Sequence, residues 1–452
     1  MKIIIVGCGK IGTTVVSSLI AEGHDVVAVD TDHDVIGEIT NIYDAIGVCG
    51  SGIDCDTLTE ADVGHAELFA ALTGNDEVNM IACFLAKRMG AKHTIARIRN
   101  PEYNEQSVDF LRQQLEISMT VNPEHLAAQE LYHILRLPGA VNLETFSRRN
   151  FEMAEFKLRA DSPLNGITLM EMRRRYKANF LVGVVQRGDK VYIPDGSFVL
   201  HSGDRIGLTA DASEMMKLIR LMGINRKQAK NIMLVGASRT AYYLAKMLLS
   251  GGASVKIIEK NREKCHMFSE LLDGAALING DGARQELLME EGMTGTDGFV
   301  ALTGMDEENI LLSYFAQDAG VGKVIAKVNR SEFAVMAEKL GIECIVSPKK
   351  VISDIFVRYA RALRSSMGSK IETLYKLMDG KAEALEFIAE SDFKYLRTPL
   401  KNMTLRPNIL IAGIIRGRKS ILPSGEDCIN AGDRVIVLTA GHTLKDLSDM
   451  VK

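Results

Sequence analysis

The sequence contains no tryptophan, only nine prolines, no long apolar run and no excess of charge of one sign. Its 54 Lys and Arg residues nearly balance 58 Asp and Glu residues, giving a net charge of −4, and no basic run is long enough to follow a phosphate backbone. Nucleic acid is therefore not expected as a partner. Since no apolar stretch approaches the roughly 18–20 residues that cross a bilayer, direct membrane insertion is not expected either.

Cysteine and histidine are too scattered to predict a metal site. The seven cysteines show no CxxC pair, and the nine histidines form no HxxxH or HExxH pattern. We therefore expect buried thiols in a reducing cytoplasm, no metal ligands, and no nucleophile paired with a base. An N-terminus that leads directly into apolar residues predicts no signal peptide.

An internal repeat is the most informative feature of the chain. At 452 residues the chain exceeds the roughly 250–300 residues at which single cores stop growing, so several domains are expected. Gly7 and Asp30 have the same spacing as Gly236 and Glu259. The segment ALTGNDEVNM recurs as ALTGMDEENI, and IARIRN recurs as IAKVNR. The sequence therefore predicts two similar halves.

Each half opens with short apolar runs that alternate with helical patterns. The runs at 3–6, 25–29 and 70–72 are almost continuously apolar, as expected of parallel strands covered on both faces. The helix after Asp76 is predicted to bury one face and to stop at Gly90. Its predicted buried residues are Val78, Ile81, Ala82, Leu85 and Ala86. The pattern predicts an α/β fold with a Rossmann-like doubly wound parallel sheet in each half.

A helical crossover and a small lobe are predicted to follow each sheet domain. Pro123 and Pro348 stand where proline opens a helix, and amphipathic patterns follow both. Because a separate lobe need not cover their apolar faces, these helices are predicted to cross between neighbouring nucleotide folds. The residues on those faces are Leu126, Leu131, Leu135, Ile352, Ile355 and Phe356. Short apolar runs separated by Gly-containing turns then predict an α+β lobe with antiparallel strands.

The predicted boundaries follow the repeat. The first half consists of a Rossmann-like domain at 1–122, a crossover helix at 123–142 and a lobe at 143–226. The second half consists of a Rossmann-like domain at 230–346, a crossover helix at 347–370 and a lobe at 371–452. A linker between the halves is predicted at 223–228.

The segment GCGKIG, from Gly7 to Gly12, has the spacing of a dinucleotide-binding turn between a strand and a helix. In that motif Gly7 allows the tight turn, Gly9 lets the backbone approach a pyrophosphate, and Gly12 lets the helix pack closely on the strand. The anion would lie at the helix N-terminus, where unpaired amides and the helix dipole favour negative charge. A tight turn without a ligand is the alternative interpretation.

Asp30 ends the second strand of the first half. A carboxylate there can accept hydrogen bonds from an adenosine ribose and would repel a 2′-phosphate, so NAD or NADH is favoured over NADP. The alternative is that Asp30 caps the following helix, although Asp32 is also placed to do so.

The second copy of the glycine motif reads GASRTA, with Ser238 and Ala241 in place of the second and third glycines. A side chain at Ser238 crowds the pyrophosphate position, so this site is expected either to take another adenine nucleotide or to be unused. Arg239 stands where the first copy has Lys10 and could bind a terminal phosphate, which favours ATP or ADP, with Glu259 holding the ribose. A solvated arginine beside an empty site is the alternative.

Two Thr-Gly pairs follow the fourth strands, Thr73-Gly74 and Thr303-Gly304. They lie at the carboxyl edge of the predicted sheets, where open α/β folds bind ligands, although a plain turn would explain them as well. Arg97 and Lys327 each place a cation on the next apolar strand. Such a cation needs a counter-charge, which either a phosphate or an internal salt bridge would supply.

Together these motifs resemble the TrkA-type regulatory subunits of bacterial and archaeal potassium uptake systems, which consist of tandem RCK domains. The resemblance covers essentially the whole chain. It is carried by IIIVGCGKIG, Asp30, ALTGNDEVNM, ARIR around Arg97, the helix after Pro123, the lobe ending GDRIGLT, and their repetition. It implies a cytoplasmic protein, peripheral on the inner face of the cell membrane. Such a protein self-associates into a ring and gates an integral-membrane potassium channel-like subunit according to the bound nucleotide.

The resemblance also implies particular site residues. In that family the first fold holds NAD or NADH through residues that match Gly7, Cys8, Gly9, Lys10, Ile11, Asp30, Thr73, Gly74 and Arg97, and Gly12 completes the first candidate set. The candidates in the second copy are Gly236, Ala237, Ser238, Arg239, Thr240, Glu259, Thr303, Gly304 and Lys327. An arginine at the position of Arg239 is shared with the related ATP-binding Ktr regulators.

Two other functions are compatible with this fold. One is an NAD-dependent oxidoreductase, because the fold alone does not reveal what is done with a bound cofactor. Against it, the small lobes offer no evident His, Lys or Tyr placed for hydride transfer, so we expect a protein that is not an enzyme. The other is a regulator of a different cation transporter, which the residues do not distinguish from a potassium transport regulator.

Overall fold

The structure is a computed structural model that describes residues 1–103, 105–146, 151–177, 179–210, 212–224, 228–365, 371–442 and 444–452. Residues 225–227 of the predicted linker and residues 366–370 of the second predicted crossover lie outside the described residues.

The first half opens with a six-stranded parallel sheet. Its strands are β1 (Lys2–Val6), β2 (Asp25–Asp30), β3 (Ile46–Cys49), β4 (Leu68–Ala71), β5 (His93–Arg97) and β6 (Met119–Val121). Its helices are α1 (Lys10–Ala21), α2 (His33–Ile42), α3 (Cys55–Glu60), α4 (Asp76–Arg88) and α5 (Glu105–Gln114). The strand order is β3-β2-β1-β4-β5-β6. Because the chain leaves β1 and β4 in opposite directions along the sheet, a cleft opens at their carboxyl ends.

The second half contains a second six-stranded sheet. Its strands are β12 (Asn231–Val235), β13 (Ser254–Glu259), β14 (Ala276–Asn279), β15 (Gly298–Ala301), β16 (Lys323–Lys327) and β17 (Cys344–Val346). Their order, β14-β13-β12-β15-β16-β17, repeats that of the first sheet. Its helices are α9 (Arg239–Ser250), α10 (Arg262–Leu271), α11 (Gln285–Glu290), α12 (Asp306–Asp318) and α13 (Ser331–Lys339). Both sheets are parallel throughout, which confirms the two predicted Rossmann-like folds.

Helix α4 buries the face that its periodicity predicts except at Ile81, since Ala82 and Ala86 are buried and Val78 and Leu85 are half-buried. Ile81, predicted to be buried, is 48% exposed. The buried residues are Asp76, Asn79, Met80, Ala82, Cys83 and Ala86. The buried side of the helix also includes Asn79, whose fully buried amide turns inward to polar partners, and Ile81 stays at the surface. The helix ends at Arg88, and Gly90 follows with a φ of 118°, as its predicted stop signal requires.

Each half ends in a five-stranded antiparallel sheet. The first lobe contains β7 (Ala140–Phe146), β8 (Phe151–Lys157), α7 (Leu169–Tyr176), β9 (Phe180–Arg187), β10 (Lys190–Tyr192), β11 (Arg205–Ala210) and α8 (Ala212–Leu221). The second contains β18 (Ile371–Leu377), β19 (Ala382–Ile388), β20 (Ile409–Arg416), β21 (Lys419–Ile421) and β22 (Arg434–Thr439). The orders β10-β9-β11-β8-β7 and β21-β20-β22-β19-β18 correspond strand for strand, so the predicted antiparallel lobes are confirmed.

The repeated Gly-Asp-Arg motif of the lobes has a structural role. The carboxylate of Asp204 is fully buried and accepts two hydrogen bonds from the guanidinium of Arg187, each 2.7 Å long. In the second lobe Asp433 accepts bonds of 2.9 and 2.7 Å from Arg416. Such bidentate pairs fix the geometry as well as adding energy. The pairs therefore tie β9 and β20 to the turns that precede β11 and β22.

The two lobes share one hydrophobic core. Phe146 and Tyr375 lie edge to face, with their ring centroids 4.5 Å apart and their planes at 83°. Phe151 packs so closely on Gly413 that a Cβ there would lie 2.6 Å from the ring. Met153, Val184, Leu377, Ala384, Ile436 and Leu438 are also buried in this core. An aromatic pair of this kind contributes about 0.5–1.5 kcal/mol beyond the area that it buries.

The described residues form two compact units according to their contacts. One unit contains Met1–Gln129 and Ser347–Ala360, and the other contains Glu130–Val346 and Arg361–Lys452. The crossover helices are α6 (Pro123–Arg136) and α14 (Pro348–Ser365), and each begins at the predicted proline. Most of α14 therefore belongs to the unit that contains the first sheet.

Each crossover helix contacts the sheet domain of the other half. In α14 the Oγ of Ser353 lies 2.6 Å from the Oγ of Ser18 in α1. In α6 a methyl group of Leu135 packs on Gly298, where a Cβ would lie 3.1 Å away. Leu131 and Leu135 are buried, at 0% and 2% exposure. Ile352 and Phe356 are likewise buried within this one chain, whereas Leu126 and Ile355 are half-buried.

The expectation that the cysteines are buried thiols holds for only part of the set. Cys8, Cys83, Cys265 and Cys344 are buried, Cys428 is intermediate, and Cys49 and Cys55 are exposed. The two exposed residues lie at the end of the edge strand β3 and at the start of the short helix α3, where no second layer covers them.

Candidate functional site

The glycine loop between β1 and α1 leaves its helix N-terminus open. Gly7 has a φ of 86°, and a Cβ there would lie 2.6 Å from the backbone nitrogen of Thr73. A Cβ at Gly12 would lie 2.0 Å from the carbonyl oxygen of Gly7, so both glycines are required by packing. At Gly9, by contrast, a Cβ would meet no described atom within 4 Å, and no side chain caps the helix. The N-terminal amides of α1 are therefore accessible to an anion.

The carboxylate of Asp30 holds this loop in place. Its Oδ2 accepts a 2.6 Å hydrogen bond from the backbone nitrogen of Cys8, and its Oδ1 accepts one of 3.0 Å from the nitrogen of Asp32. The N-cap of α2 is Asp32, whose side chain accepts from the nitrogens of Asp34 and Val35. Asp30 is thus a loop anchor rather than a helix cap. Each carboxylate oxygen has a further lone pair that a ribose hydroxyl could use.

A buried asparagine positions the Thr-Gly loop on the other side of the cleft. The Oδ1 of Asn79 accepts hydrogen bonds from the nitrogen and the hydroxyl of Thr73, at 2.8 and 2.7 Å. Its Nδ2 donates a 2.9 Å bond to the carbonyl oxygen of Arg97. Arg97 is itself only 7% exposed, at the carboxyl end of β5. The glycine loop, Thr73 and Arg97 are thereby brought to one edge of the sheet, while Lys10 and Gly74 are exposed.

The second half contains the same framework. Asn309 accepts a 2.9 Å bond from the nitrogen of Thr303 and donates one of 2.9 Å to the carbonyl oxygen of Lys327. Asp76 and Asp306, at equivalent positions, each accept hydrogen bonds from two successive backbone nitrogens after the fifth strand of their sheet. These aspartates and asparagines are not among the predicted site residues. Their recurrence at the same places in ALTGNDEVNM and ALTGMDEENI is the signal that could have identified them.

A cleft of about 320 Å³ lies at the carboxyl edge of the second sheet. Its lining includes the predicted residues Gly236, Ala237, Ser238, Glu259, Thr303, Gly304 and Lys327. It also includes Lys260, Lys264, Asp281, Gly282, Met305 and Glu308, which the sequence did not single out. The carboxylate of Glu259 accepts bonds of 2.7 and 2.8 Å from the nitrogens of Ala237 and Asn261, as Asp30 does from its own loop.

The helix N-terminus at this second cleft differs from that of the first. Ser238 is the N-cap of α9, and its hydroxyl accepts a 3.3 Å bond from the nitrogen of Ala241. One of the amides that could face a phosphate is therefore already engaged. Arg239 is the first residue of the helix and is exposed, and Thr240 is buried. Neither of these two predicted site residues lines the cleft.

The thiol of Cys8 lies inside the glycine loop. It is 1% exposed, and burial together with the neighbouring Asp30 carboxylate raises its pKa to about 12. A thiol with this pKa is protonated near neutral pH, and a protonated thiol is a poor nucleophile.

The described residues contain neither a metal-binding cluster nor a membrane-spanning helix. No group of three or more His, Cys, Asp or Glu side chains among them is arranged to hold a metal ion. Within the same residues, no helix combines the length and the apolar character needed to cross a membrane.

Sequence comparison assigns both halves to domains of one family. The TrkA-N domain matches residues 3–123 and 232–348, and the TrkA-C domain matches residues 153–223 and 385–452. The chain belongs to the TrkA family. Its tandem organisation, with a TrkA-N and a TrkA-C domain in each half, agrees with the repeated sheets and lobes of the structure.

Relatives in this family match over their whole length. The Trk system potassium uptake protein TrkA homolog 1 of Methanosarcina mazei is 30% identical, with 100% of both chains covered. The TrkA homolog of Archaeoglobus fulgidus is 28% identical over the same coverage. Trk system potassium uptake protein TrkA of Vibrio alginolyticus is 29% identical, with 97% of this chain and 95% of the relative covered.

Solved structures show the same fold at lower identity. The GsuK RCK domain superposes with a TM-score of 0.63 at 19% identity, covering 97% of this chain and 92% of the other. The GsuK channel bound to NAD gives a TM-score of 0.64 at 18% identity, covering 97% and 77%. At these identities the comparison establishes the tandem RCK fold of this TrkA-family chain and nothing about its ligands.

The asparagine framework generates a prediction about stability. Replacing Asn79→Leu keeps the side-chain size but leaves the nitrogen of Thr73 and the carbonyl of Arg97 without their partner. We expect a loss of roughly 2–3 kcal/mol in the free energy of unfolding, measured by urea titration. The control is Asn41→Ala on the exposed face of α2, which should change it by less than about 0.5 kcal/mol. Equal unfolding midpoints for the two variants would show that Asn79 does not fix the loop.

Proposed function

We propose that this chain is a non-enzymatic regulatory subunit that gates a membrane potassium channel-like protein according to whether NAD or NADH occupies its first cleft. The observation that carries the proposal is the open helix N-terminus at Gly9 in a chain of the TrkA family. Relatives named as potassium uptake proteins match it from end to end, so the proposed role concerns the whole chain.

The first cleft fits a dinucleotide. The amides at the start of α1 face open space at Gly9, where the pyrophosphate of NAD could approach. Asp30 stands at the end of β2, where it could accept hydrogen bonds from the adenosine ribose. The buried cation of Arg97 at the same edge would complement a phosphate charge. Asp30 has no lysine at the positions next to it, which favours NAD or NADH over the 2′-phosphorylated NADP.

The second cleft is proposed to take a different adenine nucleotide, ATP or ADP. Ser238 uses its hydroxyl to cap α9, so it competes with a pyrophosphate for the helix amides. Arg239 begins the same helix, and its side chain is free to swing towards a terminal phosphate that a dinucleotide does not have. Glu259 would hold the ribose, as Asp30 does in the first half.

A sensor is favoured over an NAD-dependent oxidoreductase by the chemistry around the first cleft. The predicted site residues at this edge include glycines, a threonine, a carboxylate bonded to the backbone, a buried arginine and the exposed Lys10. The nearby thiol of Cys8 has a pKa of about 12 and is protonated at neutral pH. These groups are suited to binding an anion and a ribose.

Assembly into a ring on the cytoplasmic face of the membrane is the remaining part of the proposal. Large apolar residues are exposed at equivalent positions of the two halves, Ile81 on α4 at 48% and Leu311 on α12 at 67%. Repeated apolar residues of this kind suit contacts between copies of the chain. A peripheral protein of this design would reach the membrane through its channel-like partner.

Nucleotide choice in the first cleft can be tested with a residue taken from the second. Gly9→Ser introduces the helix-capping residue found at Ser238, and the space around Gly9 admits it without a clash. We expect calorimetric affinity of the full chain for NADH to fall at least about tenfold, because helix amides are lost to the hydroxyl. Gly37→Ser on α2, where the added side chain also has room, should leave it unchanged.

The same calorimetry separates a sensor from an oxidoreductase and NADH from NADPH. We expect the unmodified chain to prefer NADH over NADPH and to leave the absorbance of the reduced nicotinamide constant. Equal or tighter NADPH binding would contradict the role of Asp30. Steady oxidation of NADH with a small-molecule acceptor would contradict the proposal of a sensor.

Arg239 generates a prediction for the second cleft. Arg239→Ala should lower the affinity for ATP by about tenfold and the affinity for ADP by less, because a charge-assisted bond to a terminal phosphate contributes roughly 1.5–3 kcal/mol. The full chain saturated with NADH would be titrated with each nucleotide. Arg262→Ala is the matched control, since Arg262 is also exposed at a helix start, but that helix is α10 and not the helix that follows the glycine-motif loop. Tighter binding of NADH than of ATP in this cleft, or no loss with Arg239→Ala, would show that the arginine does not bind a terminal phosphate.

The partner and its response can be tested together. Affinity purification of the tagged chain from native membranes should recover an integral-membrane protein, and the pair in vesicles should carry potassium at a rate that changes with NADH. The Gly9→Ser chain should bind the partner but lose the NADH response. A partner that carries another cation would identify the chain as a regulator of that transporter, and a potassium flux insensitive to NADH would contradict the gating proposal.

A further inference from the structure

The two clefts differ in charge at the ends of their second strands. In the second half, three charged residues besides Glu259 line this end of the cleft, Lys260, Lys264 and Asp281. The equivalent residues in the first half are Thr31, Val35 and Ser51, none of which is charged. The acid that ends the strand, Asp30 or Glu259, is present in both. The difference therefore lies in what surrounds the acid.

The two lysines of the second cleft are available to a ligand. Both are exposed, both line the cleft, and neither ammonium group forms a hydrogen bond or ion pair with any residue that the structure describes. The two acids beside them are already engaged by the backbone. Glu259 accepts bonds from two nitrogens, at 2.7 and 2.8 Å, and Asp281 accepts one of 3.0 Å from Ala283.

The charges at this end therefore have different effects in the two clefts. In a Rossmann-like fold, the acid after the second strand lies beside the ribose hydroxyls of the adenosine and repels a phosphate there, whereas a neighbouring cation accommodates one. In the first cleft the positions equivalent to Lys260 and Lys264 hold no cation beside Asp30, so we expect this cleft to reject a phosphate on the ribose. In the second cleft Lys260 and Lys264 balance the charge of the two acids and add hydrogen-bond donors to this end of the cleft.

We propose that the second cleft recognises adenine nucleotides that carry a phosphate on the ribose, and that Lys260 and Lys264 bind this phosphate. The inference rests on the proposed function only in that the second cleft holds an adenine nucleotide. The inference adds a chemical class of ligand, because a phosphate on the ribose is distinct from the 5′ phosphates that Arg239 would bind.

Two probes that differ by a single ribose phosphate test this inference, adenosine 2′,5′-bisphosphate and adenosine 5′-monophosphate. Titrated into the full chain, the bisphosphate should bind about tenfold more tightly, as expected for charge-assisted bonds at a partly exposed site. The double variant Lys260→Thr/Lys264→Val gives the second cleft the residues that the first cleft has at these two positions. It should abolish this preference while changing the affinity for the monophosphate less than about twofold.

Matched controls separate the local effect from net charge. Lys157→Thr/Lys190→Val removes two exposed lysines from the first lobe and should keep the preference for the bisphosphate. In the reverse exchange, Thr31→Lys/Val35→Lys, the preference of the first cleft for NADH over NADPH should narrow by about tenfold. NADH binding by that variant reports that the cleft is still folded.

The outcomes distinguish this inference from the proposed function. Equal affinities for the two probes, or a preference that survives in the Lys260→Thr/Lys264→Val chain, would overturn the inference while leaving ATP or ADP binding intact. If the chain saturated with NADH binds no adenine nucleotide, the proposed second nucleotide site fails and the inference fails with it.

Discussion

A carboxylate at the end of the second strand fixes the loop that follows the first strand, and each cleft depends on this bond. Asp30 accepts from the nitrogen of Cys8 at 2.6 Å, and Glu259 accepts from that of Ala237 at 2.7 Å. Charge-assisted bonds to backbone amides are among the stronger interactions available at a sheet edge. They set the direction of the following helix N-terminus, and thereby the position at which an anion can meet its amides.

The duplicated framework and the lining of the clefts are subject to different constraints. Asn79 and Asn309 bond to backbone groups of the loop after the fourth strand and of the fifth strand of their sheet, so their replacement would leave polar groups unpaired in either half. Gly9, in contrast, faces open space, and a side chain at this place costs the fold little. The halves can therefore keep one architecture while their clefts differ in the groups that would touch a ligand.

The crossover helices and the shared lobe core prevent the two halves from behaving as independent modules. Each crossover helix contacts the sheet domain of the opposite half, through Ser353 on Ser18 and through Leu135 on Gly298. The lobes join through buried aromatic residues, including the Phe146–Tyr375 pair. These contacts hold elements of the two halves together within each compact unit.

The sequence by itself determined the repeat, the two parallel sheets, the antiparallel lobes and the prolines that open the crossover helices. These features are encoded locally, since continuous apolar runs specify strands covered on both faces and proline fits the first turn of a helix. The packing requirement at Gly7 and Gly12 also follows from the motif, because a tight turn and a close helix leave no space for a Cβ.

Only the tertiary structure decided that the buried side of α4 includes Asn79 and leaves out Ile81, because Asn79 finds its partners on Thr73 and on β5 rather than within its own helix. It alone showed that most of the apolar residues predicted on the crossover helices are buried within one chain. It also brought Lys260, Lys264 and Asp281 to one end of the second cleft, although two exposed lysines on a strand end and a helix have no sequence pattern that marks them as neighbours. The periodicity of apolar residues indicates which residues of one helix or strand share a buried face. Polar partners and cleft linings depend instead on which distant segments of the chain meet.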